Sequence, residues 1–303
     1  MPQPGYPPGV VYIGLQKTGS TYLRHYFYNH PEIHCTRHGT FFQTAAADVA
    51  RHGGDAVRSR YEALFADDPG KPCRIDMYEA IGMGYVLEGL DAWNARDFIK
   101  VDAPLNAEHI FTAPVTVAER VRAVVPDAKV LLTIRNQAGW LDSNYRHYFE
   151  QLPAGRETLL DFLSTPEGKV VMDVAMFDRV VEIYDRLFGP ERVLVLPMER
   201  IERDEGAALR DLCQFLGVEH LPYRREDKDF NRGRALGALM STRKVGAANQ
   251  SGGLFDRLLG RKQPQWQMTT EEALKHLACV YAASNARLSR RIGVDLSALG
   301  YPC

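Results

Sequence analysis

The sequence predicts an α/β fold with a central parallel sheet flanked by helices. Short runs of apolar and β-branched residues, typical of strands buried on both faces, alternate along the chain with longer segments whose apolar residues recur at helical spacing. A polar loop that contains glycine stands between the first such run and the first helical segment. Because 45 % of the 303 residues are hydrophobic, the chain can bury a substantial core.

The first predicted unit is a strand, a tight loop and a helix. Residues 10–15 (VVYIGL) form an apolar run bounded by Pro-Gly and by polar residues, which predicts a buried strand. Residues 21–28 keep aromatic and apolar positions at helical spacing, and His30-Pro31 ends that helix. The alternation continues, with helices predicted over residues 117–125, 176–188, 207–216 and 271–291 and strands over 129–134 and 192–196.

We expect residues 1–303 to form a single domain, because the sequence has neither an internal repeat nor a clear linker. Residues 246–265 are rich in glycine and polar residues with only a brief apolar island, which predicts a flexible loop within that domain.

The composition excludes several classes of protein. Lys and Arg total 37 against 38 acidic residues, so the overall charge gives no support to a nucleic-acid binder, and any anion site must be local. We expect no membrane span and a cytoplasmic location, since the sequence lacks a long apolar run and a recognisable signal peptide. The five cysteines are widely spaced and never paired as CxxC, which favours reduced thiols over a disulfide framework or a zinc site.

Residues 14–21 (GLQKTGST) are the most informative segment, because they join the first predicted strand to the first helix. The N–H groups and the dipole of a helix start attract anions, and the hydroxyls of Thr18, Ser20 and Thr21 add donors around Gly19. Lys17 adds a full positive charge. The order of residues differs from the GxxxxGK[ST] loop of nucleotide triphosphatases, since Lys17 precedes the second glycine. The segment predicts a phosphate or sulfate pocket, although a polar loop that only caps the helix would have a similar sequence.

A second candidate anion site follows the strand predicted over residues 129–134. Arg135 comes directly after this strand, and Ser143 lies further on, in a segment that can form a helix. A ligand that crosses the carboxyl ends of parallel strands could meet Lys17 with one phosphate and Arg135 with another. Two separate anion pockets suggest a nucleotide with two phosphorylated positions. An isolated Arg135 would more often be an ordinary surface residue.

Together these segments resemble the PAPS-dependent sulfotransferase family, which uses 3′-phosphoadenosine-5′-phosphosulfate (PAPS) as donor. Residues 17–21 resemble the family's loop for the 5′-phosphosulfate, and Arg135 with Ser143 matches its 3′-phosphate motif. Residues 192–199 and 213–217 are similar to a strand, an acidic turn and a helix of the family, and the tail over residues 284–288, 293–296 and 300–302 looks like bacterial members. The resemblance implies a P-loop-like sulfotransferase fold in which Lys17, Thr18, Gly19, Ser20 and Thr21 hold the phosphosulfate, Arg135 and Ser143 hold the 3′-phosphate, and no metal ion is required.

Two further segments carry implied roles. The string Arg232-Gly233-Arg234 resembles the basic loop with which heparan-type sulfotransferases close over the nucleotide, although a solvated basic turn would have the same composition. Residues 44–99 show the weakest resemblance, and we expect them to form an insertion on the acceptor side.

The general base is expected to be His38. In heparan-type relatives the base is a glutamate shortly before a Phe-Phe pair, and His38 occupies that position here. Histidine is chemically suited to the role, because its pKa lies near neutral pH. His25, His30, His34, His109 and His147 compete for this role, with Glu79 as a further candidate. One departure from the family is the absence of the lysine that often follows the next strand, where this chain has Asp102.

The resemblance implies transfer of a sulfuryl group to a hydroxyl or amine of a small-molecule or saccharide acceptor. Two alternatives remain open at this point. A small-molecule or nucleoside kinase also begins with a strand, a phosphate loop and a helix, but this chain lacks the Walker A lysine. A non-catalytic relative would retain Lys17, Arg135 and Ser143 for nucleotide binding without turnover.

Overall fold

The protein is described by a computed structural model that covers residues 9–14, 17–35, 52–63, 71–79, 115, 118–119, 121–148, 159–164, 169, 172–223 and 271–303. The strands in these ranges are β1 (Gly9–Gly14), β2 (Ile33–Cys35), β3 (Cys73–Glu79), β4 (Lys129–Ile134) and β5 (Val193–Pro197). The helices are α1 (Ser20–Asn29), α2 (Gly54–Ala63), α3 (Gln137–Tyr148), α4 (Leu159–Leu163), α5 (Phe177–Phe188), α6 (Met198–Arg203), α7 (Glu205–Leu216) and α8 (Glu271–Ile292).

The strands form a parallel sheet in the order β2-β3-β1-β4-β5. After β1 the chain builds the half of the sheet that contains β2 and β3, and it then crosses to β4 on the other side of β1. This reversal makes the carboxyl ends of β1 and β4 a topological switch point, the place where open α/β sheets bind ligands. The register pairs Gly14 with Thr133, so the loops that follow β1 and β4 begin side by side.

Both faces of the sheet are covered, which explains why its central strands are continuous apolar runs. Side chains alternate along β1, so that Val11 and Ile13 pack in one cluster with residues of α5 and α8. Val10 and Tyr12 pack in a second cluster with residues of α1 and α7. The two helix layers hold β1 rigidly and thereby fix the start of the loop that follows it.

Local sequence signals set the ends of the helices around the sheet. Asp204 caps α7 by accepting a hydrogen bond from the Ala207 amide at 2.9 Å, and Gly217 ends this helix in the left-handed conformation with φ 78°. Gly189 ends α5 before the chain enters β5.

The predicted fold class is confirmed, and the predicted strand over residues 129–134 coincides with β4. Residues 118–119 and 121–124 are helical, as expected. The sequence did not indicate β2, which has only three residues, or β3, whose CRIDMYE sequence contains charges that hide its apolar positions. The range 44–99 contains β3, which lies inside the sheet between β2 and β1, and an acceptor role for this range remains a prediction.

The sequence led us to expect no membrane span and no disulfide framework. None of the helices in the described ranges is long and apolar enough to cross a bilayer. All five cysteines are free thiols, as their spacing predicted.

We expect Tyr184→Phe to leave stability unchanged or to raise it by up to about 1 kcal/mol. Tyr184 is fully buried in α5, and its hydroxyl has no hydrogen-bond partner in the part of the chain that the structure describes. Removing that hydroxyl relieves an uncompensated desolvation cost. Urea unfolding of the purified protein measures the change.

The matched control is Tyr281→Phe in α8. Tyr281 is equally buried, but its hydroxyl donates to the carbonyl of Met172 at 2.8 Å. This variant should lose about 1 kcal/mol, because the partly buried carbonyl would be left without its donor. A loss for Tyr184→Phe as large as that for Tyr281→Phe would contradict the interpretation.

Candidate functional site

The loop after β1 has an unusual backbone at two positions. Lys17 has φ 66°, which places it in the left-handed region that non-glycine residues rarely adopt, and Gly19 has φ 89°. Gly19 is also the N-cap residue of α1, and its carbonyl accepts the first helical hydrogen bond from the Leu23 amide at 3.1 Å. A left-handed lysine costs on the order of 1–3 kcal/mol, and such strain clusters at functional sites.

Buried hydroxyls hold this loop on the sheet. Thr133 in β4 shares hydrogen bonds with the Tyr12 hydroxyl at 2.6 Å and with the Thr18 hydroxyl at 2.9 Å. All three side chains are buried. Because its hydroxyl is engaged with Thr133, Thr18 would contribute to an anion site chiefly through its backbone. The Thr18 contact therefore positions Lys17 and Gly19, its neighbours in the loop.

The first residues of α1 complete the loop. Ser20 is buried and Thr21 is exposed at the helix start. The first turn of α1 contains no acidic residue, so its free N–H groups and its dipole face the loop without an internal counter-charge. This helix start combines with the ammonium group of Lys17 to favour an anion.

The second predicted anion site, at Arg135, lies against the first, the loop that contains Lys17. It follows β4 directly, and its guanidinium Nη1 donates a hydrogen bond to the carbonyl of Lys17 at 3.2 Å. The segments after β1 and β4 are therefore in direct contact. Ser143 lies partly buried in α3, the helix that begins two residues after Arg135.

A carboxylate network surrounds the residue that follows Arg135. Glu199, at the start of α6, accepts the backbone N–H of Asn136 at 2.8 Å and the hydroxyl of Tyr301 at 2.9 Å. The Asn136 side chain caps α3 by accepting the Ala138 amide at 3.0 Å. Burial raises the pKa of Glu199, whereas its hydrogen bonds with Asn136 and Tyr301 and the charge of Arg135 act in the opposite direction. The sequence alone did not mark Glu199, Asn136 and Tyr301 as part of the site.

Several predicted residues lie outside the described ranges. They are His38, Asp102, His109, Arg232, Gly233 and Arg234, together with the loop over residues 246–265 and the side chains of Glu79 and His147. Their roles remain predictions.

Two of the histidines that compete with His38 for the role of general base, His30 and His25, are instead engaged in contacts that hold the fold together. His30 is buried, its Nε2 lies 2.9 Å from the Glu219 carbonyl, and its Nδ1 lies 3.2 Å from the Glu32 amide. A neutral ring protonated at Nε2 satisfies both contacts, which is typical of a histidine that holds two segments together. His25 contacts the hydroxyl of Tyr223 at 2.9 Å on the outer face of α1. His34 lies in β2, at the edge of the sheet.

Across the described residues, the structure contains no group of three or more His, Cys, Asp or Glu side chains that could hold a metal ion. Among the described residues, the junction of β1 and β4 carries the cations Lys17 and Arg135, and the partly buried Glu199 accepts the backbone N–H of the residue after Arg135.

Comparison with solved structures gives the fold a precedent. A sulfotransferase from Alicyclobacillus acidocaldarius superposes with a TM-score of 0.56 at 20 % identity and covers 97 % of this chain and 98 % of that chain. The sulfotransferase domain from the curacin biosynthetic pathway gives a TM-score of 0.44 at 15 % identity, and the superposition covers 72 % of this chain and 76 % of that chain. A mouse sulfotransferase complexed with PAP gives a TM-score of 0.42 at 14 % identity, and the superposition covers 95 % of this chain and 90 % of that chain.

At the level of sequence, none of the curated proteins matches the chain significantly. A family profile does match. Residues 8–222, which include the loop after β1, the Arg135 junction and Glu199, fit the profile described as the sulfotransferase family. This match spans more than half of the chain and agrees with the parallel sheet and with the fold of the Alicyclobacillus enzyme. The chain therefore belongs to the sulfotransferase family.

Proposed function

We propose that the protein transfers a sulfuryl group from PAPS to a hydroxyl or amine of a small-molecule or saccharide acceptor. The observation that carries this proposal is the hydrogen bond from Arg135 Nη1 to the Lys17 carbonyl. It joins two cationic segments at the carboxyl ends of neighbouring parallel strands. A nucleotide with phosphates at both its 3′ and 5′ positions needs two such sites within one ligand length.

The loop after β1 fits a phosphosulfate. Gly19 has no Cβ, and a Cβ at this position would overlap the end of the Met198 side chain. The left-handed turns at Lys17 and Gly19 let the backbone approach a ligand closely in front of α1. We assign the 5′-phosphosulfate to Lys17, Thr18, Gly19, Ser20 and Thr21. The 3′-phosphate is assigned to Arg135 and Ser143, and closure over the nucleotide to Arg232, Gly233 and Arg234.

The proposed reaction is an in-line displacement at sulfur. The acceptor oxygen or nitrogen forms a new bond to sulfur while the bond between sulfur and the 5′-phosphate oxygen breaks, which releases 3′-phosphoadenosine-5′-phosphate (PAP). Lys17 stabilises the negative charge that develops on the departing phosphate oxygen. The acceptor proton passes to a general base, which we assign to His38. The scheme requires no metal ion, and a cytoplasmic location remains a prediction from the sequence.

Calorimetric titration with PAP tests the donor site. We expect the protein to bind PAP in preference to AMP and to ATP with Mg²⁺. Lys17→Ala and Arg135→Ala should each weaken PAP binding by about 10- to 100-fold, since each removes a charge-assisted hydrogen bond. Arg135→Ala should change AMP affinity little, because AMP has no 3′-phosphate.

Two results would redirect the assignment. A preference for ATP with Mg²⁺, or no binding of PAP, would contradict the proposal and favour a kinase or a role without nucleotide. Selective PAP binding without turnover of any hydroxyl or amine acceptor would favour a non-catalytic relative.

A further inference from the structure

Gly300, Tyr301 and Pro302 form the 300–302 segment. This segment packs against the junction between β4 and α3, far from it in sequence. The carbonyl of Gly300 accepts a hydrogen bond from the Asn136 side-chain amide. The carbonyl of Pro302 accepts one from the Asn285 side-chain amide at 2.6 Å. Asn285 also exchanges two hydrogen bonds with the buried amide of Gln137, the first residue of α3.

The side chain of Tyr301 reaches past this junction to Glu199. Tyr301 is buried, and its hydroxyl donates to Glu199 Oε2 at 2.9 Å. The other carboxylate oxygen, Oε1, accepts the backbone N–H of Asn136 at 2.8 Å. Burial and the neighbouring Glu199 carboxylate hold the pKa of Tyr301 well above its usual range, so the hydroxyl keeps its proton and remains a donor. One carboxylate thus links Tyr301 to the residue directly after Arg135.

Three groups of Asn136 are consequently fixed at once. Its backbone N–H is held by Glu199, its side-chain N–H by Gly300, and its side-chain oxygen by the first turn of α3. On the other side, Ile134 pairs with Pro197 in the sheet. Arg135 therefore stands between two anchored neighbours, with its guanidinium directed to the carbonyl of Lys17.

We propose that Tyr301, acting through Glu199 and the Asn136 amide, is a positioning residue that sets the orientation of Arg135 toward the 3′-phosphate of the donor. The inference rests on the proposed function, because it assigns a supporting contact to the same nucleotide site. The Tyr301 hydroxyl donates to Glu199, and its proposed effect reaches the ligand through Arg135.

The test compares PAP with AMP, which differ by the 3′-phosphate alone. Calorimetry on Tyr301→Phe should show a PAP affinity lowered by about 5- to 10-fold, the size of one ordinary net hydrogen bond, and an AMP affinity changed by less than about twofold. In the Arg135→Ala background the same substitution should have no further effect on the PAP to AMP ratio. A purely structural role would not produce this selectivity.

Tyr184→Phe is the matched control, because it removes the hydroxyl of another fully buried tyrosine in α5. It should leave the PAP to AMP ratio of the wild type unchanged. Thermal unfolding of each variant in parallel confirms that the titrated protein is folded. An equal loss of PAP and AMP affinity in Tyr301→Phe, or an unchanged ratio, would overturn the positioning role while leaving the donor site intact. A wild-type protein without preference for PAP over AMP would overturn the proposed function and this inference together.

Discussion

Lys17→Met is expected to lower sulfuryl transfer by about 10²- to 10³-fold, the size measured when one preorganised donor is removed from a developing anion. Methionine keeps much of the length of lysine but carries no charge. The charge on the departing 5′-phosphate oxygen is greatest in the transition state, so turnover should fall more than the affinity for PAP. The measurement is release of PAP from PAPS, with water as the acceptor and with any accepted hydroxyl compound.

Two control variants separate the amine of Lys17 from its backbone. Lys17→Gly suits the left-handed conformation at φ 66° better than lysine does, so any loss of activity comes from the missing side chain. Lys17→Arg keeps a positive charge and should retain more activity than Lys17→Met. Turnover of Lys17→Met within a few-fold of the wild type would remove Lys17 from the mechanism.

Gly19→Ala is expected to weaken PAP binding by about tenfold or more and to lower stability by about 1–3 kcal/mol. Gly19 has φ 89°, where a Cβ is strained, and that Cβ would overlap Sδ and Cε of Met198. The end of the Met198 side chain can turn aside, so it is mainly the strain of alanine at φ 89° that shifts the loop where it enters α1 and displaces the N–H groups proposed to surround the phosphosulfate. Calorimetry with PAP and urea unfolding measure the two effects.

Gly217→Ala is the matched control for the backbone. Gly217 has φ 78°, and a Cβ there meets no atom within 4 Å, so this variant carries the left-handed cost without a steric clash. It should lose stability and keep its PAP affinity. The double variant Gly19→Ala with Met198→Ala should recover the steric part of the loss only. Normal PAP affinity in Gly19→Ala would show that the loop does not hold the donor.

The parallel α/β class was predictable because it depends on local patterns. Apolar runs marked β1, β4 and β5, and the polar loop at residues 14–21 marked the start of α1. The placement of Lys17 and Arg135 at one edge of the sheet was also predictable, since the carboxyl ends of neighbouring parallel strands meet there. Their direct contact was not, because the sequence suggested two separate pockets, whereas Arg135 donates a hydrogen bond to the Lys17 carbonyl.

The contacts that support the site could not be predicted from a single sequence, because they join residues that are far apart along the chain. The contact between Glu199 and Tyr301 spans 102 positions, and that between Thr18 and Thr133 spans 115. Glutamate after a strand and tyrosine before a proline have many ordinary roles, so neither residue type reveals its partner. Likewise, β3 was hidden because its charged residues interrupt the apolar pattern that marks the other central strands.

The most direct test of the central claim is a crystal structure of the protein with PAP bound. We expect the 5′-phosphate to lie within hydrogen-bond distance of Lys17 and of the loop backbone up to Ser20. The 3′-phosphate should contact the guanidinium of Arg135. A nucleotide bound elsewhere, or one whose 3′-phosphate points away from Arg135, would contradict the assignment of the two cationic segments to one donor site.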